Sequence, residues 1–220
     1  MNEQTPQDGS RKPDHFDTGQ VDATGESNAG RILPLFPLPD MVLFPGQIQP
    51  LHIFEPRYLQ MVSELLDTKG EFVIGTVLGH DKRQLESVAP VQSVAGLGRI
   101  EQYQELPDGR FFMIALGLKR VRVTPLAEER AYPTCLAEPI LEDQEKIIDP
   151  NARATYETLL RRALMENWEQ DSPPPEKIPL FQLTDLVQMH LSLTPQKSYE
   201  IFSTNPLEKR IRTVLEAARA

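Results

Sequence analysis

Residues Ile32 to Val62 read ILPLFPLPDMVLFPGQIQPLHIFEPRYLQMV. Prolines at 34, 37, 39, 45, 50 and 56 divide the apolar residues into short runs, and an amphipathic helix then opens. Proline has no backbone donor and a fixed φ, so none of these runs can lie deep in a regular central sheet. They predict short strands broken by tight turns, with Asp40 and Pro45-Gly46 as turn residues. Leu, Phe, Ile and Val set between so many prolines predict a small, irregular β-barrel rather than a layered sandwich.

Working outward, the pattern stays β-rich from Ile32 to about Ile140 except over Pro56–Thr68. There Tyr58, Leu59, Val62, Leu65 and Leu66 recur at helical spacing, Pro56 follows Glu55 at the first helical position, and Gly70 closes the end. Phe72–Leu78 reads as a buried strand and His80–Pro90 as a loop. Val94–Glu105 and Phe111–Leu116 flank Pro107-Asp108-Gly109, which supplies the fixed and then positive φ of a hairpin turn. Leu118–Thr124 alternates as a half-buried strand does, and Tyr132–Ile140 completes the sheet.

After Pro150 the period becomes helical. Tyr156, Leu159, Leu160, Ala163 and Leu164 form one stripe, with Trp168 near its end. Beyond the Ser172–Pro175 linker, helices are predicted at about Leu180–Leu191, Pro195–Ser203 and Pro206–Arg219. Thr194 marks one start, and Asn205-Pro206-Leu207-Glu208 marks another as a capping-box-like run. Residues 1–30 form a polar, acidic tail whose one large aromatic is Phe16. Such a segment buries too little surface to offset its ordering entropy and is expected to be disordered. The organisation is therefore a tail (1–30), a β-rich part (31–145) and a helical part (146–220).

A net charge of −9 over 220 residues opposes non-specific nucleic-acid binding, which needs clustered Lys and Arg. A single cysteine, Cys135, excludes an intramolecular disulfide and fits a reducing compartment. No secretory signal and no apolar run of membrane-spanning length is visible, so a cytoplasmic protein with no membrane partner is expected.

An ordered series of features resembles the N-terminal, substrate-binding domain of the Lon protease family. It runs Leu33-Pro34-Leu35, Pro39-Asp40, Phe44-Pro45-Gly46 and Pro50-Leu51, then Ile53-Phe54-Glu55-Pro56-Arg57-Tyr58, which looks closer to the free-standing bacterial members than to full-length proteases. It continues through Phe72-Val73-Ile74-Gly75, Gly96-Leu97-Gly98-Arg99-Ile100, Asp108-Gly109-Arg110 and Gly117-Leu118-Lys119-Arg120. Pro45, Gly46, Glu55, Arg57, Gly98, Gly109, Gly117 and Arg120 are the motif positions. The resemblance implies an α+β fold: a β-rich, PUA-like pseudo-barrel with one inserted helix, followed by a C-terminal four-helix bundle. It also implies recognition of unfolded polypeptide or of a specific protein partner.

A Lon protease also needs an ATPase and a serine–lysine dyad. The phosphate loop G-x-x-x-x-G-K-[ST] does not occur in this sequence, nor does G-x-S-x-G. Only recognition carries over, with no catalytic residue and no cofactor. His15, His52, His80 and His190 lack metal-ligand spacing, and His52 and His190 read as core-edge histidines with one hydrogen bond. Cys135 reads as a buried hydrophobe. Gly96 and Gly98 continue a strand, so close backbone approach explains them better than a dinucleotide fingerprint does. Arg120 is expected to pair with a carboxylate.

Phe36, Phe44, Phe54, Tyr58 and Arg99 are the candidate polypeptide-binding residues. Most of the aromatics must fill the core, while a few line an apolar groove. The alternative is a PUA-like barrel for a small molecule or RNA, using a pocket near Gly96–Arg99 and the basic side chains of Arg99, Arg120 and Arg122.

Overall fold

In a computed structural model, which describes residues 30–79, 90–127, 130–140, 148–170 and 173–219, the proline-rich run Arg31–Pro39 is one nine-residue strand, β1. Pro34 and Pro37 therefore do not divide this run as expected, and it lies inside the sheet between two partner strands. Arg31–Pro34 pairs antiparallel with β6 (Thr134–Pro139), and Leu35–Pro39 pairs parallel with β3 (Glu71–Val77). Each proline therefore lies in a stretch laddered along one side, where a missing donor costs little. The acidic tail with Phe16 and His15, and most of the His80–Pro90 loop, lie outside the described residues.

Asp40 (φ 54°) and Gly46 (φ 81°) take the left-handed turns that the sequence predicts. Between them Met41–Phe44 is irregular chain laid across the sheet. A Cβ on Gly96 would stand 2.3 Å from the Leu43 carbonyl oxygen, and one on Gly117 would stand 2.0 Å from that of Phe44. Close backbone approach is thus the reason for these glycines, as expected for Gly96.

The six strands run in the order β2-β5-β4-β3-β1-β6, with β2 at Ile48–Ile53, β4 at Val94–Glu105 and β5 at Phe111–Leu126. An additional β5–β6 pairing joins β5, β4, β3, β1 and β6 in a ring. Phe111–Leu116 and Leu118–Thr124, predicted as two strands, are one sixteen-residue strand whose register with β4 shifts beside Gly117. The β4–β5 hairpin closes as predicted, with Gly109 at φ 79° and the Leu106 N–H donating to the Arg110 carbonyl at 2.8 Å. Helix α1 (Pro56–Leu66) buries Tyr58, Met61, Val62 and Leu65 against Ile53, Phe111, Met113 and Ala115.

The remaining helices are α2 (Pro150–Asn167), α3 (Leu180–Met189), α4 (Pro195–Phe202) and α5 (Leu207–Ala217). Leu160, Ala163, Leu164, Leu183, Val187, Ile201, Ile211, Val214 and Leu215 form their shared core. Thr194 caps α4, accepting from the Lys197 N–H at 3.3 Å. The capping-box reading of Asn205 is corrected: the N-cap of α5 falls on Pro206, and no side chain caps it. Sheet and helices meet at Val42, Phe44, Val94, Tyr199 and Phe202, where the Val94 N–H donates to the Tyr199 hydroxyl at 3.1 Å.

Candidate functional site

Past Arg99, β4 runs beyond its partner β3. Its last residues, the first half of β5 and all of β2 make a three-stranded ribbon covered on one face by α1. Alternation turns Phe111, Met113 and Ala115 inward. The same alternation sends Phe112, Ile114 and Leu116 outward, opposite His52, Pro50 and Ile48 of β2. Gln102 and Gln104 of β4 lie opposite Ile114 and Phe112.

A sheet with one covered face ordinarily shows polar side chains on the other. Here β4 contributes Gln102 and Gln104, but β2 and β5 present Ile, Pro, His, Phe, Ile and Leu, with Ile48 at 67% and Phe112 at 50% exposure. His52 stacks on Phe112 with ring centroids 4.5 Å apart and planes at 20°. Phe54, 59% exposed, lies 5.8 Å from His52.

This row of rings leads into a cleft of about 460 Å³ between Phe36–Pro39 of β1 and the His52–Tyr58 segment. Phe36 and Tyr58 form its buried floor, with rings 4.5 Å apart. Burial pushes the Tyr58 hydroxyl up to about 12, so it stays neutral at physiological pH. The Arg57 guanidinium lies 4.6 Å over the Tyr58 ring, and its Nε donates to Glu55 at 3.0 Å.

Two arginines beside the face are paired locally. Arg99 holds Glu101, and Arg110 holds Asp108 with Nε donating at 2.8 Å. Arg110 keeps the Asp108 carboxyl below the usual carboxylate range through these hydrogen bonds. A smaller hollow of about 200 Å³ between α2 and α5, lined by Leu159, Arg162, Ala163, Glu166 and Leu215, has no aromatic lining.

The sequence candidates divide accordingly. Phe36 and Tyr58 floor the cleft, Phe54 stands at its rim, and Arg99 borders the apolar face beside Leu116. Phe44 is elsewhere, buried edge-on to Phe202 at 5.3 Å, where it joins sheet to helices. Gly98 also faces Leu43, whose Cδ2 would lie 2.9 Å from an added Cβ, so the ground expected to hold a pocket near Gly96–Arg99 is filled by Leu43. Arg120 is fully buried and pairs with Asp185.

His52 is corrected from a core-edge histidine to an exposed ring in the aromatic row. His190 is half-buried as expected, with Nδ1 2.9 Å from the Leu186 carbonyl and its ring stacked on Trp168. Burial pushes the Cys135 thiol up to about 12, which keeps it unreactive. Among the described residues no group of three or more His, Cys, Asp or Glu could hold a metal ion. Sequence reasoning missed the outer face of β2 and β5. Its signal is Phe111-Phe112-Met113-Ile114-Ala115-Leu116, six strand residues without a polar alternate.

Residues 32–219 match the family model of the ATP-dependent protease La (LON) substrate-binding domain. The chain belongs to this Lon family. Among relatives, the Lon protease of Anaeromyxobacter dehalogenans is 22% identical over 84% of this chain and 22% of its own length. The Lon protease of Parabacteroides distasonis is 31% identical over 49% of this chain and 13% of its own length. The chain thus spans under a quarter of the first of these proteases.

A Lon N-terminal domain protein from Xanthomonas campestris has the same fold, with a TM-score of 0.60 at 22% identity, covering 84% of this chain and 98% of that one. The N-terminal domain of Mycobacterium avium complex Lon protease gives 0.55 at 16% identity, over 86% and 98%. The Lon N-terminal fold is here a mixed α/β arrangement of a six-stranded sheet and five helices among the described residues. No helix among them is long and apolar enough to cross a membrane.

Proposed function

We propose that this Lon-type domain is a non-catalytic recognition module that binds unfolded polypeptide. The observation that carries the reading is the solvent-facing apolar row Ile48, Pro50, His52, Phe112, Ile114 and Leu116, continuous through Phe54 with the cleft floored by Phe36 and Tyr58. Apolar side chains of an unfolded segment would gain about 25 cal/mol for each Å² they bury on such a surface. Folded proteins present few such side chains in a contiguous run, so the face discriminates by folding state. Arg57, Arg99 and Arg110 are each paired with a neighbouring carboxylate, so among the described residues these arginines offer no concentrated basic charge for phosphate.

The ring of strand pairings supports describing the β part as a PUA-like pseudo-barrel, and the shared core of α2–α5 supports a four-helix bundle packed on it. The reading needs no cofactor, and buried, unreactive Cys135 suits work in the cytoplasm. To test it, wild type and an Ile48→Ser/Phe112→Ser double variant are titrated with a reduced, carboxymethylated unfolded protein. The expected result is binding by wild type that weakens about tenfold or more in the variant, at unchanged melting temperature. Equal affinities would remove the face from the reading.

A further inference from the structure

The ribbon that carries the apolar face has two edges with no strand partner among the described residues, and they are not equivalent. On β2, the ladder is phased by the Gly117 N–H, which donates to the Gln47 carbonyl at 2.8 Å. Alternation then points Gln49, Leu51 and Ile53 at β5 and turns the backbone groups of Ile48, Pro50 and His52 outward. Pro50 removes the central outward donor, so this edge is blunted.

On β4, the bond from the Leu106 N–H to the Arg110 carbonyl, at 2.8 Å, sets the opposite phase. Gln102 and Gln104 bond toward β5, while Tyr103 and Glu105 turn their N–H and C=O groups away from it. Pairing with β3 ends at Arg99, and the next outward donor, Ile100 N–H, is taken by the Gly70 carbonyl at 2.9 Å. Glu101–Glu105 is exposed throughout and contains no proline.

We propose that the β4 edge at Gln102–Glu105 takes up an extended polypeptide segment as an added strand. This rests on the polypeptide-binding reading and supplies its mode. The added strand sets alternate side chains beside Gln102 and Gln104 on the apolar outer face, and the others beside Tyr103 and Glu105. Tyr103 is 55% exposed and offers an aromatic surface. Glu105 has no ion-pair partner among the described residues, in a chain of net charge −9. The fitting segment is therefore free of proline, apolar or aromatic opposite Tyr103, and basic opposite Glu105. A second copy fits poorly. The Gln102–Glu105 edge, about 14 Å long, cannot supply the roughly 800 Å² per partner of a stable interface.

The probe is a fluorescein-labelled peptide of alternating Val and Thr with a central Phe and Lys at both ends. Two further versions are N-methylated at one or the other alternate set of residues. Wild type should bind the parent peptide and one methylated version alike, and lose about tenfold or more on the other, because only one set of N–H groups faces β4. Tyr103→Pro removes an edge donor that β5 does not use, as Pro50 does on β2, and should weaken parent binding while Tyr103→Ala retains most of it. If both methylated versions bind as the parent does, the added strand is overturned while the apolar-face reading stands. If the parent does not bind wild type at all, both fall. A concentration-dependent dimer abolished by Tyr103→Pro would assign the edge to a second copy instead and overturn the proposal.

Discussion

Arg120 of β5 and Asp185 of α3 form a buried, two-pronged pair, with Nη1 and Nη2 donating to the carboxylate at 2.9 and 2.6 Å. Nε of the same guanidinium donates to the Phe202 carbonyl at 2.9 Å, and its Cζ lies 4.6 Å from the centroid of the Phe202 ring. Arg210 of α5 brings Nε within 3.7 Å of the same carboxylate. All three charged residues are at most 2% exposed, so one carboxylate ties the sheet to two helices away from solvent. Removing one member strands a buried charge, which costs far more than losing a surface pair.

Asp185→Asn and Arg120→Met should each lower stability by about 3–5 kcal/mol. The Arg120→Met/Asp185→Leu double variant should cost clearly less than the sum of its single changes, because no charge is then left alone. Urea unfolding of the four proteins gives the coupling energy, and simple additivity would mean that the pair is not coupled.

Gly96→Ala and Gly117→Ala place a methyl group 2.3 and 2.0 Å from backbone carbonyl oxygens. Each should cost about 1–3 kcal/mol or more through forced movement of Leu43 and Phe44. Gly109→Ala has open space around its added methyl, so only its φ of 79° opposes it. Melting temperatures of the three variants separate crowding from backbone strain.

Leu160 and Leu215 lie mid-face on α2 and α5, at 0% and 8% exposure, whereas Met165 of α2 is 63% exposed. Truncating either leucine to Ala should cost about 2–5 kcal/mol, while Met165→Ala should change stability by under about 0.5 kcal/mol. Trp168, the single tryptophan, packs on this helical core and reports the transition by fluorescence.

Alkaline pH should unfold the domain. Burial raises Tyr58 from 10.0 and Cys135 from 9.0, each to about 12, and raises Tyr199 as well. In the unfolded chain these groups lose protons first, so the unfolded state binds fewer protons and stability falls with rising pH. Their contribution is whole below about pH 9 and is lost as pH approaches 12. Urea midpoints measured from pH 8 to 11 should decline, and Tyr58→Phe, which keeps the ring without the ionisable hydroxyl, should flatten the decline.

Much of this fold is legible because its signals are local. The Asp40, Gly46 and Gly109 turns, the Pro56 helix start and the 3.6-residue stripes of α2 and α5 each depend on neighbours in sequence. The continuity of β1 through Pro34, Pro37 and Pro39 does not, because it depends on a change of partner from β6 to β3 at Leu35. Asp185 gives no warning either, since a lone acid in a helix looks solvent-facing until a distant arginine is placed against it.

The candidate site follows the same division. Phe54 and Arg99 reach the exposed surface, but which of Phe36, Phe44 and Tyr58 touch it is decided by the path of Met41–Phe44 across the sheet. The apolar outer face of β2 and β5 could have been found from the missing polar alternation in Phe111–Leu116. A strand buried on both faces carries the same pattern, and only the pairing of β5 shows one face open.

Binding itself is read by titrating the full chain with a reduced, carboxymethylated unfolded protein and with single-stranded RNA of similar mass, at low and at physiological salt. Apolar recognition predicts binding to the polypeptide alone, with an affinity that changes little between the two salt conditions. Binding to RNA alone, weakening steeply as salt rises, would contradict it, because that slope is the mark of phosphate contacts.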